Sequence, residues 1–396
     1  MLRSILKMKY ESQYLGLVLI TFLTSVASSF TGVYLSIFLK NDLMFTNEQI
    51  GFYFSVSSIF NVCISMLLAY ISDKSLTFRR LSIYVGLFSA GIGYYLYIIN
   101  NSFFSIMMIS ITFIAISSCI TPQIFALASD ILRKCLLNEN EILSKLTFLR
   151  TTISFSYIVG PLIGAVILSD DHFSYLYFGA SMIYFLSLIF IFIFYRNKKI
   201  EDAKNEIKNK EQFTNYKLVI SMFILFVLIQ TVHSIISNVI PIFLTNIKEY
   251  SNNFVGMIAS YSAMLEVPLL CFWAYLIKKF ELKRMLYFGI FSGLVFLSIV
   301  YLSDSISITF FSYLFNAIFY TITIGLGMPF FQHIIPHSQG MATTLFINTS
   351  SIGKICCGII LNCCTTDYRS IFLITIIVII ISLFILLKTD VQVNDK

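Results

Sequence analysis

The 396-residue chain is 58% hydrophobic and only 12% charged, with a mean hydropathy of +0.85. Soluble globular domains are about a quarter charged, so this composition excludes one. The net charge of +7 resides in loops, where it reports membrane orientation and not nucleic-acid binding.

Apolar stretches of about 20 residues recur along the chain, long enough to cross a hydrocarbon core of about 30 Å as helices. The short alternating segments of a membrane β-barrel are absent. Twelve helices are predicted, over about 13–39, 47–71, 81–99, 103–130, 142–168, 174–195, 217–244, 253–277, 284–302, 307–331, 339–363 and 370–388. Arg3, Lys7 and Lys9 precede the first, and Val26–Ser29 is a small-residue patch of the kind found at cleavage sites. The apolar run continues to Leu39, too long for a signal-peptide core, so it reads as a retained helix. Turns such as Asn100-Asn101-Ser102 and Ser303-Asp304-Ser305 are short, which makes neighbouring helices antiparallel.

One long polar run interrupts this pattern, Arg196–Lys217, with Lys198, Lys199, Lys204, Lys208 and Lys210 set against Glu201, Asp202, Glu206 and Glu211. The expected architecture is therefore an all-α membrane protein of two six-helix bundles, 1–195 and 218–396, joined by a linker at 196–217. With the N-terminus inside, the inner segments carry 22 Lys and Arg and the outer loops 3 (Lys40, Lys248 and Arg369). That bias predicts both termini and the linker on the cytoplasmic side. The basic linker then has anionic lipid as an expected partner.

The two halves also echo each other. Asn47–Ser55, reading NEQIGFYFS, is similar to Asn252–Ser260, reading NNFVGMIAS, and each opens the second helix of its half. Parallel repeats of six helices typify alternating-access transporters.

Polar groups inside the spans are the candidate functional residues. Glu266 is the only acidic residue well inside a predicted span, with Ser262 one turn before it and Pro268 two residues later. Intramembrane carboxylates are costly and serve proton relays or substrate pathways, so Glu266 is a candidate for proton coupling, for binding substrate hydroxyls, or for an ion pair with Lys354. Arg150 shares a helix face with Thr147, Thr151 and Ser154. It is placed to bind a polar substrate or to snorkel toward the inner surface. Lys354 follows Ser350 by one turn and serves either a cavity or the Glu266 pair. His233 sits near mid-span, where a packing role competes with a titrating one. Asn61, Gln123, Gln230, Asn238, Asn316 and Asn348 offer carboxamides, which suit sugar hydroxyls and also join helices.

Five of the eight cysteines (Cys63, Cys119, Cys271, Cys356 and Cys357) fall in apolar segments, and Cys135 lies in a short loop. Cys363 and Cys364, at a helix end, lack nearby His or carboxylate partners, so neither a disulfide framework nor a metal site is expected. No phosphate loop or nucleophile–base pair is present, and neither an enzyme nor a cofactor is indicated.

The loop Ser72–Arg80, an acid and a base (Asp73, Lys74) followed by a basic pair (Arg79, Arg80), resembles the signature between helices 2 and 3 of the major facilitator superfamily. Ala69 stands where that signature has Gly, its loop glycine is missing, and the basic pair is displaced. The resemblance implies a cytoplasmic gate built from Asp73, Lys74, Arg79 and Arg80, with Asp130 placed to pair with one of the arginines. More extended stretches are similar to bacterial sugar efflux transporters within that superfamily. They are Thr121–Ala128, Phe148–Arg150, Ile158–Pro161, Leu265–Pro268, Asn316–Phe319, Phe331-Gln332, Ala342–Thr344 and Asn348–Ser350.

This resemblance implies a proton-driven exporter of sugars or glycosides, multi-pass, in a bacterial inner membrane; a monomer is expected. Arg150, Glu266, Gln123, Asn316 and Asn348 fall in the matching stretches; His233 and Lys354 do not. The alternatives are a multidrug or other small-solute exporter of the same fold, a sugar importer, and a non-transporting receptor.

Overall fold

The computed structural model describes residues 2–72, 76–134, 139–168, 172–195, 216–276, 280–325, 327–335, 339–364 and 368–389. Twelve helical segments among them are long and apolar enough to cross a membrane. They are α1 (Leu2–Ile37), α2 (Asn47–Ser72), α3 (Leu76–Ile99), α4 (Phe103–Ile109 with Ile120–Lys134), α5 (Glu139–Ile167) and α6 (Phe173–Tyr195). The second set is α7 (Tyr216–Asn238 with Ile240–Asn246), α8 (Asn252–Leu276), α9 (Leu282–Leu302), α10 (Ile306–Thr323, followed by Gly327–Ile334), α11 (Gln339–Cys363) and α12 (Tyr368–Lys388). Of the predicted linker, residues 196–215 lie outside the described residues, and Tyr216 and Lys217 open α7.

Three helices expected to be continuous are interrupted, each just ahead of a proline. In α4 a π-helical turn, Ser110–Ile114, is followed by a break at Ser118-Cys119 before Pro122. There the Ser118 and Cys119 amides bond only to the carbonyls three residues back. The α7 break falls at Val239 before Pro241, and the α10 break at Ile324-Gly325 before Pro329. A proline removes one N–H and crowds the carbonyl four residues earlier. Those carbonyls belong to Ser118, Ser237 and Gly325, each within two residues of its break. Pro161 and Pro268 are instead accommodated within α5 and α8.

The chain forms two compact units, Met1–Phe38 with Ile59–Asn205, and Leu39–Ser58 with Glu206–Lys396. In the first, α1 packs on α4, α5 and α6, and α3 packs on α4 and α6. Gly160 lets α5 approach Ser29 and the Val26 carbonyl of α1, where any larger residue would collide. Half-buried Tyr94 stacks on the buried Tyr177 and Tyr184 between α3 and α6, buried Tyr97 meets Tyr177 edge-on, and the Tyr184 hydroxyl lies 2.7 Å from that of Ser28.

In the second unit α7 packs on α11 and α12, α9 packs on α10 and α12, and α8 packs on α10. Gly353 of α11 lies against the backbone of Gln230 in α7. The segment Leu39–Ser58 joins this unit through Gly51, which faces the Gly358 carbonyl, and through Ser55, which donates to the Ile355 carbonyl at 3.2 Å.

The internal pairings repeat. α1–α5, α1–α6, α3–α4 and α3–α6 in one unit recur as α7–α11, α7–α12, α9–α10 and α9–α12 in the other. The turn into the second helix of each half repeats atom for atom. Met44 and Glu249 both take φ 56°, and the Phe45 and Tyr250 amides donate to the Leu39 and Leu244 carbonyls, both at 2.9 Å. Thr46 and Ser251 then cap α2 and α8 by accepting from the Gln49 and Phe254 amides. Every pair is offset by 205 residues, the offset of the two sequence stretches at 47 and 252.

Candidate functional site

The second unit gathers most of the intramembrane polar groups. Ser262 on α8 and Asn316 on α10 meet where these helices pack, and the Asn316 amide donates to the Ser262 hydroxyl at 3.2 Å. Glu266 follows Ser262 by one turn on the same face of α8 and is half-buried. It makes no hydrogen bond or ion pair among the described residues. Lys354 of α11 is exposed and likewise unpaired, so the Glu266–Lys354 pair is not formed.

His233 is fully engaged in packing. Its ring stacks on Phe319 with centroids 4.2 Å apart, meets Tyr320 edge-on, and its Nε2 lies 2.8 Å from the Thr323 hydroxyl. Two residues before Thr323, Thr321 accepts the indole N–H of Trp273 of α8 at 3.0 Å. Thr321 and Thr323 are the last residues before the α10 break, so α7 and α8 each clamp the end of this helix. Asn238 caps its own helix, donating to the Ser234 carbonyl at 2.8 Å beside the α7 break. Asn348 is half-buried on α11.

In the first unit, Arg150 on α5 is exposed and unpaired among the described residues. Gln123 is buried on α4 just past its break, and its Oε1 meets no hydrogen-bond partner among the described residues. Arg79 of α3 forms an ion pair with Asp130 of α4, with Arg80 half-buried beside it. Asp73 and Lys74 lie outside the described residues. Sequence reasoning missed Ser262, Thr321 and Thr323 as partners. The Gly325, Gly327 and Pro329 cluster was the available signal for the break.

No group of three or more His, Cys, Asp or Glu able to hold a metal occurs among the described residues. The chemistry on offer is hydrogen bonding by carboxamides and hydroxyls, and charge from Glu266, Lys354 and Arg150.

A family model described as Major Facilitator Superfamily matches residues 17–355, and a second match covers 222–396. The chain belongs to the Major Facilitator Superfamily. Its superfamily relatives include Sugar efflux transporter C of Escherichia coli, 26% identical over 345 residues and 86% of each chain. Sugar efflux transporter A of the same organism is 24% identical over 378 residues and 95% of each chain. Sugar efflux transporter B of Salmonella typhimurium is 23% identical over 93% of this chain and 94% of its own. Among solved structures, the nucleoside transporter NupG matches with a TM-score of 0.75 at 14% identity, over 95% of this chain and 98% of that one. A bacterial homolog of the human lysosomal transporter Spinster gives 0.74 at 12% identity, over 96% of each. The chain is thus a multi-pass membrane transporter with the major facilitator fold, and not an enzyme.

Proposed function

We propose that this protein exports sugars or glycosides across a bacterial inner membrane in exchange for protons, by alternating access of one binding site to the two sides. The observation that carries the reading is Glu266, a carboxyl within a span that forms no ion pair among the described residues. Unpaired carboxyls at such depth belong to proton or substrate pathways. Curated relatives called sugar efflux transporters, matched over 86–95% of the chain, support the substrate class.

In this reading residues 1–195 and 218–396 are the two functional halves, with both termini and the linker cytoplasmic and the linker resting on anionic lipid. The protein works as a monomer. Arg150, Gln123, Asn316 and Asn348 contact substrate, with Lys354 as an auxiliary charge. His233, whose Nε2 is engaged by Thr323, and Asn238, whose Nδ2 is engaged by Ser234, shape the site and do not bind. Arg79, Arg80 and Asp130, together with Asp73 and Lys74, form the cytoplasmic gate. A multidrug exporter is the competing reading, since many aromatic side chains would suit apolar ligands.

The test is reconstitution into liposomes. Labelled glycosides should exchange in counterflow, and an imposed proton gradient should drive their net movement. Glu266→Gln should abolish the gradient-driven movement while counterflow persists. Unchanged proton-driven movement in that variant removes Glu266 from coupling, and no counterflow of any sugar in a broad panel overturns the substrate class.

A further inference from the structure

We infer that Asn316 is the residue that selects hydroxyl-bearing ligands, with Ser262 as the residue that positions it. This inference rests on the transport reading above and assigns one contact within it. Asn316 is 91% buried, yet only its Nδ2 is used, donating to Ser262; Oδ1 has no hydrogen-bond partner among the described residues. A buried amide end without a partner is costly, because it has given up water and received nothing in return. Away from water that cost is the more acute, and a partner is required.

The surroundings say what kind of partner fits. Asn316 lies on a face of α10 that carries Thr309 and Tyr313 before it and Tyr320 after it. Thr309, Tyr313 and Asn316 are buried, whereas Tyr320 is 37% exposed, so the face opens one turn beyond Asn316. Across from it, Glu266 follows Ser262 by one turn. An amide, a carboxyl and a part-exposed aromatic residue therefore lie within about a turn of the Ser262–Asn316 contact on two packed helices.

A hydroxyl is the ligand group that suits this setting. The Ser262 hydroxyl can accept from the amide N–H, as observed, or donate to the amide oxygen if the amide is turned over. In either orientation one amide end remains for the ligand, and a hydroxyl can donate to the oxygen or accept from the nitrogen. A purely apolar ligand would leave that end unmatched, which is how a polar site rejects it. Polyhydroxylated ligands are thus favoured over lipophilic ones at this position.

The experiment compares Asn316→Ala, Asn316→Gln, Ser262→Ala and Ser262→Thr with wild type, using the full-length protein in liposomes. The probes are methyl glucoside, its singly deoxygenated analogues, and ethidium as a lipophilic competitor. Asn316→Ala should weaken the parent glucoside roughly tenfold. It should also erase the wild-type penalty for one particular deoxy analogue, because the lost hydroxyl and the lost amide are partners. Ethidium competition should be unchanged or stronger. Ser262→Ala should give a smaller loss with the same analogue pattern, and Ser262→Thr, which retains the hydroxyl, should restore it.

Equal effects on every analogue and on ethidium would reduce Asn316 to a packing residue and overturn the inference. So would a shifted melting temperature with unchanged sugar discrimination, the result expected if the amide only holds a buried water. If wild type moves sugars and the variants discriminate as it does, this inference alone fails. If wild type moves ethidium and no sugar, the substrate reading fails with it.

Discussion

Three charged side chains within the spans, Arg150, Glu266 and Lys354, stand without an ion pair among the described residues, while Arg79 and Asp130 are joined. The contrast has an energetic signature. Side chains that do not touch should contribute independently, so Glu266→Gln and Lys354→Gln should shift thermal stability additively, to within about 0.5 kcal/mol. Arg79→Ala and Asp130→Ala should instead couple by about 0.5–3 kcal/mol. Exchanging the two to Arg79→Asp with Asp130→Arg should recover part of the loss. Double-mutant cycles on detergent-purified protein check both, and strong Glu266–Lys354 coupling would mean that the two pair in the membrane.

At the scale of helices, close crossings depend on residues without a side chain. Gly353 is a clear instance, since a Cβ there would lie 2.6 Å from the backbone carbon of Gln230. Gly353→Val should force α7 and α11 apart and lower stability by about 1–3 kcal/mol, read as a reduced melting temperature. The twelve helices were legible because each requirement is local, about 20 apolar residues between polar turns. The breaks were not, since proline is ambiguous in these spans: Pro122, Pro241 and Pro329 follow interruptions, while Pro161 and Pro268 sit in unbroken helices. Neighbouring helices decide which way a proline goes, and they are distant in sequence. The same holds for the candidate site. Glu266 stands out by its charge alone, whereas the Ser262–Asn316 bond joins residues 54 apart. Near-uniform hydropathy hides which face points inward. In the apolar body of α12, past Ser370, only Thr375 and Ser382 hint at the buried side, which Ile371, Ile379 and Leu386 share.

Across the whole molecule the repeated turn, the repeated pairings and the common 205-residue offset describe one six-helix plan used twice. A plan with an even number of spans per half returns the chain to its starting side. Together with the Lys and Arg bias, this supports the proposal that the N-terminus, the linker near residue 205 and the C-terminus are cytoplasmic. A fluorescent protein, which matures only in the cytoplasm, should glow when fused after Lys396. A periplasm-active phosphatase should work when inserted at Asp304 and not at residue 205. The reverse pattern would invert the assignment and the gate proposed for Arg79 and Asp130 with it.

The chain contains a single tryptophan, Trp273, and its indole is bonded to Thr321 four residues before Gly325. A lone indole is a native fluorophore whose emission colour follows its hydrogen bond and its exposure to water. Unlabelled protein therefore carries its own optical probe at the end of α10. Any rearrangement that parts Trp273 from Thr321 should be visible in real time as a change in its light, with no cysteine or dye to introduce.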